Sequence, residues 1–232
     1  MKHTLSLKLS FAAITLICLS ACHNQTQQRG INGQAKQSNS SKLNSGDLGI
    51  QSDSIKIDGF YVNPKKLFGF NSVGDINHDT LTLVTCSDYI FSPFGALKDK
   101  SRISGSLLKN FTSINRLDTM DVGVVEFQIL KHESSRLILF FDQDKFASRE
   151  SYVFDGDIKD SDVNLAERIR IGMSKRDFIM TFFEKLPDEL MRKYDIIAFE
   201  SCVDGIRHTY IFKDGKLDAI YFRSHSYWKV SY

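Results

Sequence analysis

The residues whose types could do catalytic or metal chemistry are the histidines and cysteines, and their spacing indicates neither. The histidines of the folded part are far apart in sequence, at His78, His132, His208 and His225. None has an HExxH or similar ligand spacing, and no GxSxG elbow, Walker loop or dinucleotide-binding glycine pattern occurs. A nucleophilic Cys202 is conceivable, but without a histidine in register it lacks a base. We therefore predict no catalytic residue, no metal site and no cofactor.

Two further groups could carry chemistry, and each has a simpler explanation. His208 falls on the predicted covered face of a strand, either as a polar site or as a histidine near the sheet edge with a hydrogen-bond partner. We favour the second. The acidic cluster Asp155, Asp157, Asp160 and Asp162 could offer oxygen ligands to Ca²⁺. Because its spacing is not that of an EF-hand, we favour a solvated linker.

The N-terminus has the pattern of an export signal. Lys2 and Lys8 precede an apolar run over 9–19, and no acidic residue occurs before Asp47. The segment Leu19-Ser20-Ala21-Cys22 resembles the bacterial lipobox, which implies cleavage before Cys22 and lipid on that cysteine. The alternative is an ordinary secretory signal with an incidental cysteine. We expect residues 1–21 to be removed and Cys22 to anchor the chain in a membrane.

A polar segment separates the predicted anchor from the folded part. Residues 22–46 are rich in Gln, Asn, Ser and Gly, a composition typical of a flexible tether. The residue after Cys22 is His23, not the Asp of an inner-membrane retention signal. We therefore expect an outer-membrane location facing the periplasm. Without Lys2 and Lys8 the chain has 30 − 2 = 28 basic and 28 acidic residues, which gives no indication of nucleic-acid binding.

Two cysteines remain for the folded part. Cys18 leaves with the signal and Cys22 takes the lipid, so Cys86 and Cys202 are left in an oxidising compartment. They either form one disulfide or stay separate as buried thiols. Sequence does not decide between these alternatives, because it does not give the Cα separation that a disulfide needs.

The C-terminal half, residues 161–232, has the clearer element pattern. Ser174 predicts a helix start, and Phe178, Phe182 and neighbouring apolar residues share one helical face. Pro187 predicts a second helix. Two Asp-Gly pairs, at 204–205 and 214–215, then predict a meander of three strands with two-residue turns.

Counting outward from those turns predicts a register for the meander. Phe199 should face Tyr210, and Phe212 should face Leu217. The predicted fold is therefore α+β, with helices packed on an antiparallel sheet. Residues 47–160 are predicted as an N-terminal α+β subdomain, which could be a diverged tandem copy of the C-terminal ααβββ unit.

This C-terminal pattern brings in a resemblance to a known family. The segments "IRIGMSK" (169–175) and "YIFKDGKLDAIYF" (210–222) resemble the SmpA/OmlA (BamE-like) lipoproteins, over roughly residues 165–225. The related β-lactamase-inhibitor-protein fold uses the same ααβββ unit in tandem. The segment Phe183-Glu184-Lys185-Leu186-Pro187 departs from the Leu-Gly-x-Pro that usually ends the family's first helix. The resemblance implies a fold, not a shared partner.

The predicted function is non-enzymatic. We expect a bacterial envelope lipoprotein that binds or scaffolds other envelope proteins, or alternatively an inhibitor or immunity-type module that blocks a secreted enzyme. An enzyme of unrecognised type would need a deep pocket around His208 or Cys202. Contacts to an envelope partner are expected from Arg207 and Phe222 on the mixed sheet face. Tyr227 and Trp228 near the C-terminus either join those contacts or close the core as a last strand.

Overall fold

The computed structural model describes residues 54–97, 99–120, 123–141, 152–202 and 205–224. The predictions for Cys22, for the tether over 22–46, and for Tyr227 and Trp228 lie outside the described residues. The described strands are β1 (Ile55–Ile57), β2 (Phe60–Pro64), β3 (Phe70–Asn77), β4 (Thr80–Thr85), β5 (Thr112–Met120), β6 (Gly123–His132), β7 (Ser135–Phe140), β8 (Val153–Ile158), β9 (Phe183–Lys185), β10 (Ile196–Ser201), β11 (Ile206–Lys213) and β12 (Lys216–Ser224). The α-helices are α1 (Asp88–Phe91), α2 (Lys175–Phe182) and α3 (Asp188–Lys193), and 3-10 turns span Lys66–Phe68, Lys100–Gly105 and Ala166–Arg168.

A nine-stranded mixed sheet forms most of the fold. Its strand order is β3-β4-β10-β11-β12-β8-β7-β6-β5. β10 runs parallel to β4, whereas its other neighbour β11 is antiparallel. A second, three-stranded sheet has the order β1-β2-β9. The three strands of the large sheet that follow residue 160, β10, β11 and β12, lie between β4 and β8, so one sheet spans the predicted subdomain boundary.

The predicted α+β class is wrong, because the fold is mostly β-sheet with short helices. α2, α3 and α1 contain eight, six and four residues. Two helices do precede three strands over 175–224, but they cover only part of one sheet. The N-terminal half is not a copy of that unit, because a four-residue helix and 3-10 turns stand where two helices would be needed.

Local signals placed α2 correctly. The Ser174 hydroxyl accepts a hydrogen bond from the backbone N–H of Asp177 at 3.1 Å, which satisfies one free donor of the first turn. The buried side of the helix carries Phe178 and Phe182. Their rings pack against Phe199 of β10 at centroid distances of 6.1 and 4.7 Å. The amphipathic stripe therefore determines which side of α2 packs on the sheet, against the face that carries Phe199.

The two Asp-Gly hairpins differ in outcome. Asp214 and Gly215 have φ of 51° and 72°, and Phe212 faces Leu217 as predicted. Phe199, however, faces His208 and not Tyr210. The β10–β11 connection is longer than two residues because β10 ends at Ser201 and Cys202 turns away toward β4.

A β-bulge in β12 changes the predicted faces of that strand. The register shifts by one residue between Ile211 and Phe212, so His208 faces Phe222 and not Tyr221. Because side chains alternate along a strand, this shift turns Phe222 into the core and Tyr221 outward. Phe222 is 1% exposed, which makes its predicted role in partner contact wrong.

Candidate protein-binding face

The two faces of the large sheet are covered very differently. The main core contains side chains from every described helix, from the small sheet and from one face of the large sheet. The opposite face has only a small apolar cluster, and every member of that cluster lies on β6, β7 or β8. No described helix contributes to it. We call this surface the open face; it carries Glu200, Arg207, Thr209, Tyr221, Arg223, Asp155, Asp157, Arg136, Ile138, Phe127 and Ile114.

A row of charged side chains crosses the open face. Glu200, Arg207, Arg223 and Asp155 lie directly opposite one another across β10, β11, β12 and β8. We call these four residues the charged row. Side chains directly opposite across antiparallel strands are about 4.5–5.5 Å apart at Cβ, so each member interacts with the next.

The charged row divides into two ion pairs with adjacent arginines at its centre. Arg207 donates to Glu200. Arg223 Nη1 lies 2.6 Å from Asp155 Oδ1. Burial raises the pKa of the Asp155 carboxyl, and the guanidinium groups of Arg223 and Arg136 only partly oppose that effect. Because like charges directly opposite each other are unfavourable, the two central arginines favour an additional anion above them.

A second row on the open face combines an aromatic ring with charge. Thr209, Tyr221, Asp157 and Arg136 are cross-strand neighbours in that order. Lys159 pairs with Asp157 at 2.7 Å, and its Nζ lies 5.9 Å from the centroid of the Tyr221 ring. Tyrosine and arginine are enriched in protein interfaces, since both offer apolar area together with hydrogen-bonding groups.

The open face becomes apolar toward the β5 edge. Next to Asp155, the line of cross-strand neighbours that contains the charged row continues with apolar residues. These are Ile138, Ile129 and Ile114 on β7, β6 and β5. The Phe127 ring packs beside Phe140 and Phe154 at 5.7 and 5.4 Å. Ile114 is 56% exposed, so the apolar end of the face reaches solvent. Charged centre and apolar flank together form a surface suited to a protein partner.

The structure joins Cys86 and Cys202 in a disulfide, with the Cα atoms 5.3 Å apart. This is one of the two alternatives left open by the sequence. The bond lies just beyond the last residues of the parallel pair β4 and β10, where the Cys202 N–H also donates to the Thr85 carbonyl at 3.1 Å. The oxidised Cys202 has no thiol, so it cannot act as a nucleophile.

His208 is buried, and it does not lie near the edge of the sheet as predicted. It lies on β11 in the middle of the large sheet, 1% exposed, and neither ring nitrogen has a hydrogen-bond partner among the described residues. Burial lowers its pKa to about 3. The expected hydrogen-bond partner was therefore wrong. Its neighbours are the rings of Tyr89 and Phe222, at 6.2 and 4.8 Å.

The acidic cluster is neither a linker nor a shared ligand set. Asp155 and Asp157 lie in β8, in the interior of the large sheet. Asp160 accepts from the Ser135 N–H at 2.9 Å, and Asp162 lies 2.9 Å from Nε2 of His132. Each carboxylate thus has its own partner. Within the described ranges, no group of three or more His, Cys, Asp or Glu side chains could hold a metal ion.

A polar cleft of about 800 Å³ lies beside the Lys100–Gly105 turn. Arg102, Lys109 and Asp162 contribute the charges of its described lining, which otherwise consists of Ser, Gly and Asn residues with Phe94, Ala96, Leu97 and Leu107. No histidine or cysteine occurs among its described lining residues, which therefore offer no nucleophile with an adjacent base of the usual kind.

Of the two predicted contact residues that the structure describes, Arg207 lies on the open face and Phe222 is buried. Sequence reasoning placed Glu200 on the same face as Arg207 but did not name Glu200, Arg223 or Asp155 as contact residues. Asp155 was assigned to a linker, and the bulge in β12 that turns Arg223 outward has no sequence signal of its own. The alternation of Arg207 and Thr209 with buried residues was the available signal for the open face.

No protein-family model, curated protein or solved structure matches this chain. Among the helices of the described residues, none has the length and hydrophobicity needed to cross a membrane.

Proposed function

We propose that this chain is a non-enzymatic lipoprotein of the bacterial envelope that binds other envelope proteins through the open face. Lipid on Cys22 would hold it at the outer membrane, facing the periplasm. The observation that carries the proposal is the open face itself. It combines two central arginines, an aromatic ring and an apolar flank on rigid strands, and no described helix packs on it.

Three features support an envelope location. The lipobox-like segment ending at Cys22 and the polar stretch after it are typical of a lipidated, tethered domain. The disulfide between Cys86 and Cys202 belongs to an oxidising compartment. The resemblance of residues 165–225 to BamE-like lipoproteins points to the same compartment.

Charge indicates the chemistry of the partner. Arg207 and Arg223 are held side by side by the β11–β12 register, and among the described residues each is paired with one carboxylate. A partner carboxylate placed above both arginines would gain two charge-assisted hydrogen bonds and relieve their mutual repulsion. We therefore propose a partner that presents acidic side chains next to an apolar or aromatic surface.

Site-specific crosslinking in cells tests this proposal. A photo-reactive residue at Thr209 should give a discrete adduct with an envelope protein, and one at Glu189 on α3 should not. The double change Arg207→Glu and Arg223→Glu should abolish the Thr209 adduct. Arg192→Glu, an exposed arginine on α3, is the matched control and should leave the adduct intact.

The outcomes separate the parts of the proposal. An adduct that also forms from Glu189, or one that survives both open-face charge reversals, would contradict binding through the open face. An adducted protein that is a secreted hydrolase inhibited by this chain would favour the inhibitor alternative. The mass of the N-terminal peptide tests the anchor separately, because an unmodified Cys22 thiol would contradict the lipid.

A further inference from the structure

β5 is an edge strand with an unusual amount of exposed apolar surface. It is the last strand of the large sheet, and its residues pair with β6 on one side along its whole length. No described strand pairs with its other side. Ile114 and Leu117 on β5 are 56% and 69% exposed. A long edge with free backbone groups and exposed apolar side chains is a template for pairing with another strand.

The sequence of β5 complements itself in one antiparallel register. When Leu117 lies on a twofold axis, Arg116 of one copy is directly opposite Asp118 of the other, and the reverse. Arg116 and Asp118 point to the same face, since both alternate with Leu117. Within one chain, Arg116 Nη2 already lies 3.2 Å from Asp118 Oδ2. The axis would therefore be surrounded by four alternating charges.

Neighbouring registers lack this complementarity. An axis at Arg116 places two arginines opposite each other, and an axis at Asp118 does the same with two carboxylates. Like charges directly opposite on adjacent strands are destabilising. In the register centred on Leu117, Asn115 lies opposite Thr119, and the two Leu117 side chains meet at the axis. The charge pattern thus selects one register and one partner, a second copy.

We propose that two copies of this chain associate through β5, antiparallel and centred on Leu117, with Arg116 of each copy paired to Asp118 of the other. This contact joins the large sheets of the two copies edge to edge. The contact uses the free backbone edge of β5, and its Arg116 and Asp118 side chains lie at the margin of the open face, opposite Phe127 and Val125 of β6. Association of the purified chain tests it without the proposed envelope partner. The main-chain hydrogen bonds supply attraction, and the two charge pairs set the register.

Sedimentation of the Cys22→Ser chain over a range of concentrations tests the contact. The parent chain should show a monomer–dimer equilibrium. Arg116→Asp alone or Asp118→Arg alone should raise the dimer Kd about tenfold or more, since each introduces two like-charge pairs. The double variant with both changes should dimerise like the parent, because its charges are merely exchanged.

Mixing the two single variants gives the sharpest outcome. In a heterodimer, the Arg116→Asp chain presents two carboxylates and the Asp118→Arg chain presents two guanidinium groups, so both cross-strand pairs are restored. Native mass spectrometry should show the heterodimer in excess over either homodimer. Circular dichroism melting curves for each variant check that the fold is intact.

Four results would overturn the proposal. The parent chain could stay monomeric at every concentration. The single variants could dimerise as well as the parent, which would place the contact elsewhere. The mixture could show no preference for the heterodimer, which would exclude this register. A monomeric chain whose β5 variants lose a different protein partner would also overturn it and assign the edge to that partner.

Discussion

Replacement of the buried histidine by leucine should remove a large part of the acid sensitivity of the fold. His208 is 1% exposed between aromatic rings, and its imidazole has no hydrogen-bond partner among the described residues. Burial disfavours the charged form and lowers the pKa to about 3. In the unfolded chain, the pKa of this histidine should be about 6.5.

The sign of the effect follows from proton binding. Between pH 6.5 and 3 the unfolded chain binds the proton and the folded chain does not, so acid stabilises the unfolded state. The stability that the fold gains from keeping His208 neutral is therefore fully present above about pH 6.5. It is lost progressively as the pH falls from there toward the folded-state pKa. A pH of 5 lies about 1.5 units below the pKa of this histidine in the unfolded chain. Protonation of the unfolded chain there lowers the free energy of unfolding by about 2 kcal/mol.

Urea unfolding of the Cys22→Ser chain at pH 7.5 and pH 5 measures this effect. Carboxylates titrate in both chains, so the informative quantity is the difference between the parent and His208→Leu. The variant should lose about 2 kcal/mol less than the parent between the two pH values. His78→Leu, in the exposed turn between β3 and β4, is the matched control and should keep the parent's pH dependence. A His208→Leu chain as acid-sensitive as the parent would refute the reasoning.

Three further changes test other parts of the fold. Cys86→Ser with Cys202→Ser should lower the free energy of unfolding by about 3–5 kcal/mol in non-reducing urea titrations, because the disulfide closes a loop with a sequence separation of 116; reductant should reproduce the loss in the parent only. Gly156→Ala should prevent folding or lower the free energy of unfolding by about 3 kcal/mol or more, because its Cβ would lie 2.4 Å from a backbone oxygen of β7. Gly105→Ala is the control, and it should leave the melting temperature nearly unchanged because the space around Gly105 is open. Asp160→Ala should lower the free energy of unfolding by about 1–3 kcal/mol at pH 7, because its hydrogen bonds to the β6–β7 turn are lost. Burial alone would raise the pKa of the Asp160 carboxyl, but the hydrogen bonds to that turn lower it. The difference in stability between the parent and the variant should therefore fade as the pH falls below about 4.

Local signals predicted the local structure well. Ser174 marked the start of α2, and the Asp214-Gly215 pair gave the β11–β12 turn with the expected positive φ values. Both depend on interactions between residues close in sequence. The apolar stripe of α2 likewise identified which side of the helix packs on the sheet.

Long-range pairing was not accessible in the same way. The parallel contact of β4 with β10 joins residues more than a hundred positions apart, and no periodicity reports it. The disulfide ends β10 early and lengthens the next connection, so the register counted from Asp204-Gly205 was off by two residues. A shift of two keeps side chains on their faces. The predicted covered face of β10 and β11 therefore survived, although the pairing did not.

The bulge in β12 did change faces, and the charged row depends on it. Asp218 is the extra residue, because Ile211 faces Ala219 while Phe212 faces Leu217. The bulge places Arg223 on the open face beside Arg207 and buries Phe222 against the rings of Phe94 and His208. A regular hairpin from Asp214-Gly215 would instead turn Arg223 toward the core and Phe222 toward the open face.

Deletion of Asp218 separates these two registers. Without that residue, Phe212 still faces Leu217 and Ile211 still faces Ala219, so the bulge disappears and every other pair is kept. Asp218 is exposed, and its loss removes no buried group, so we expect a change of about 1 kcal/mol or less in urea unfolding. In a bulge-free hairpin, the same deletion would exchange Tyr221 and Phe222 between faces and disrupt the core. Deletion of Tyr221 is the control that should unfold the chain. A severely destabilised Asp218 deletion would contradict the bulge, and with it the charged row.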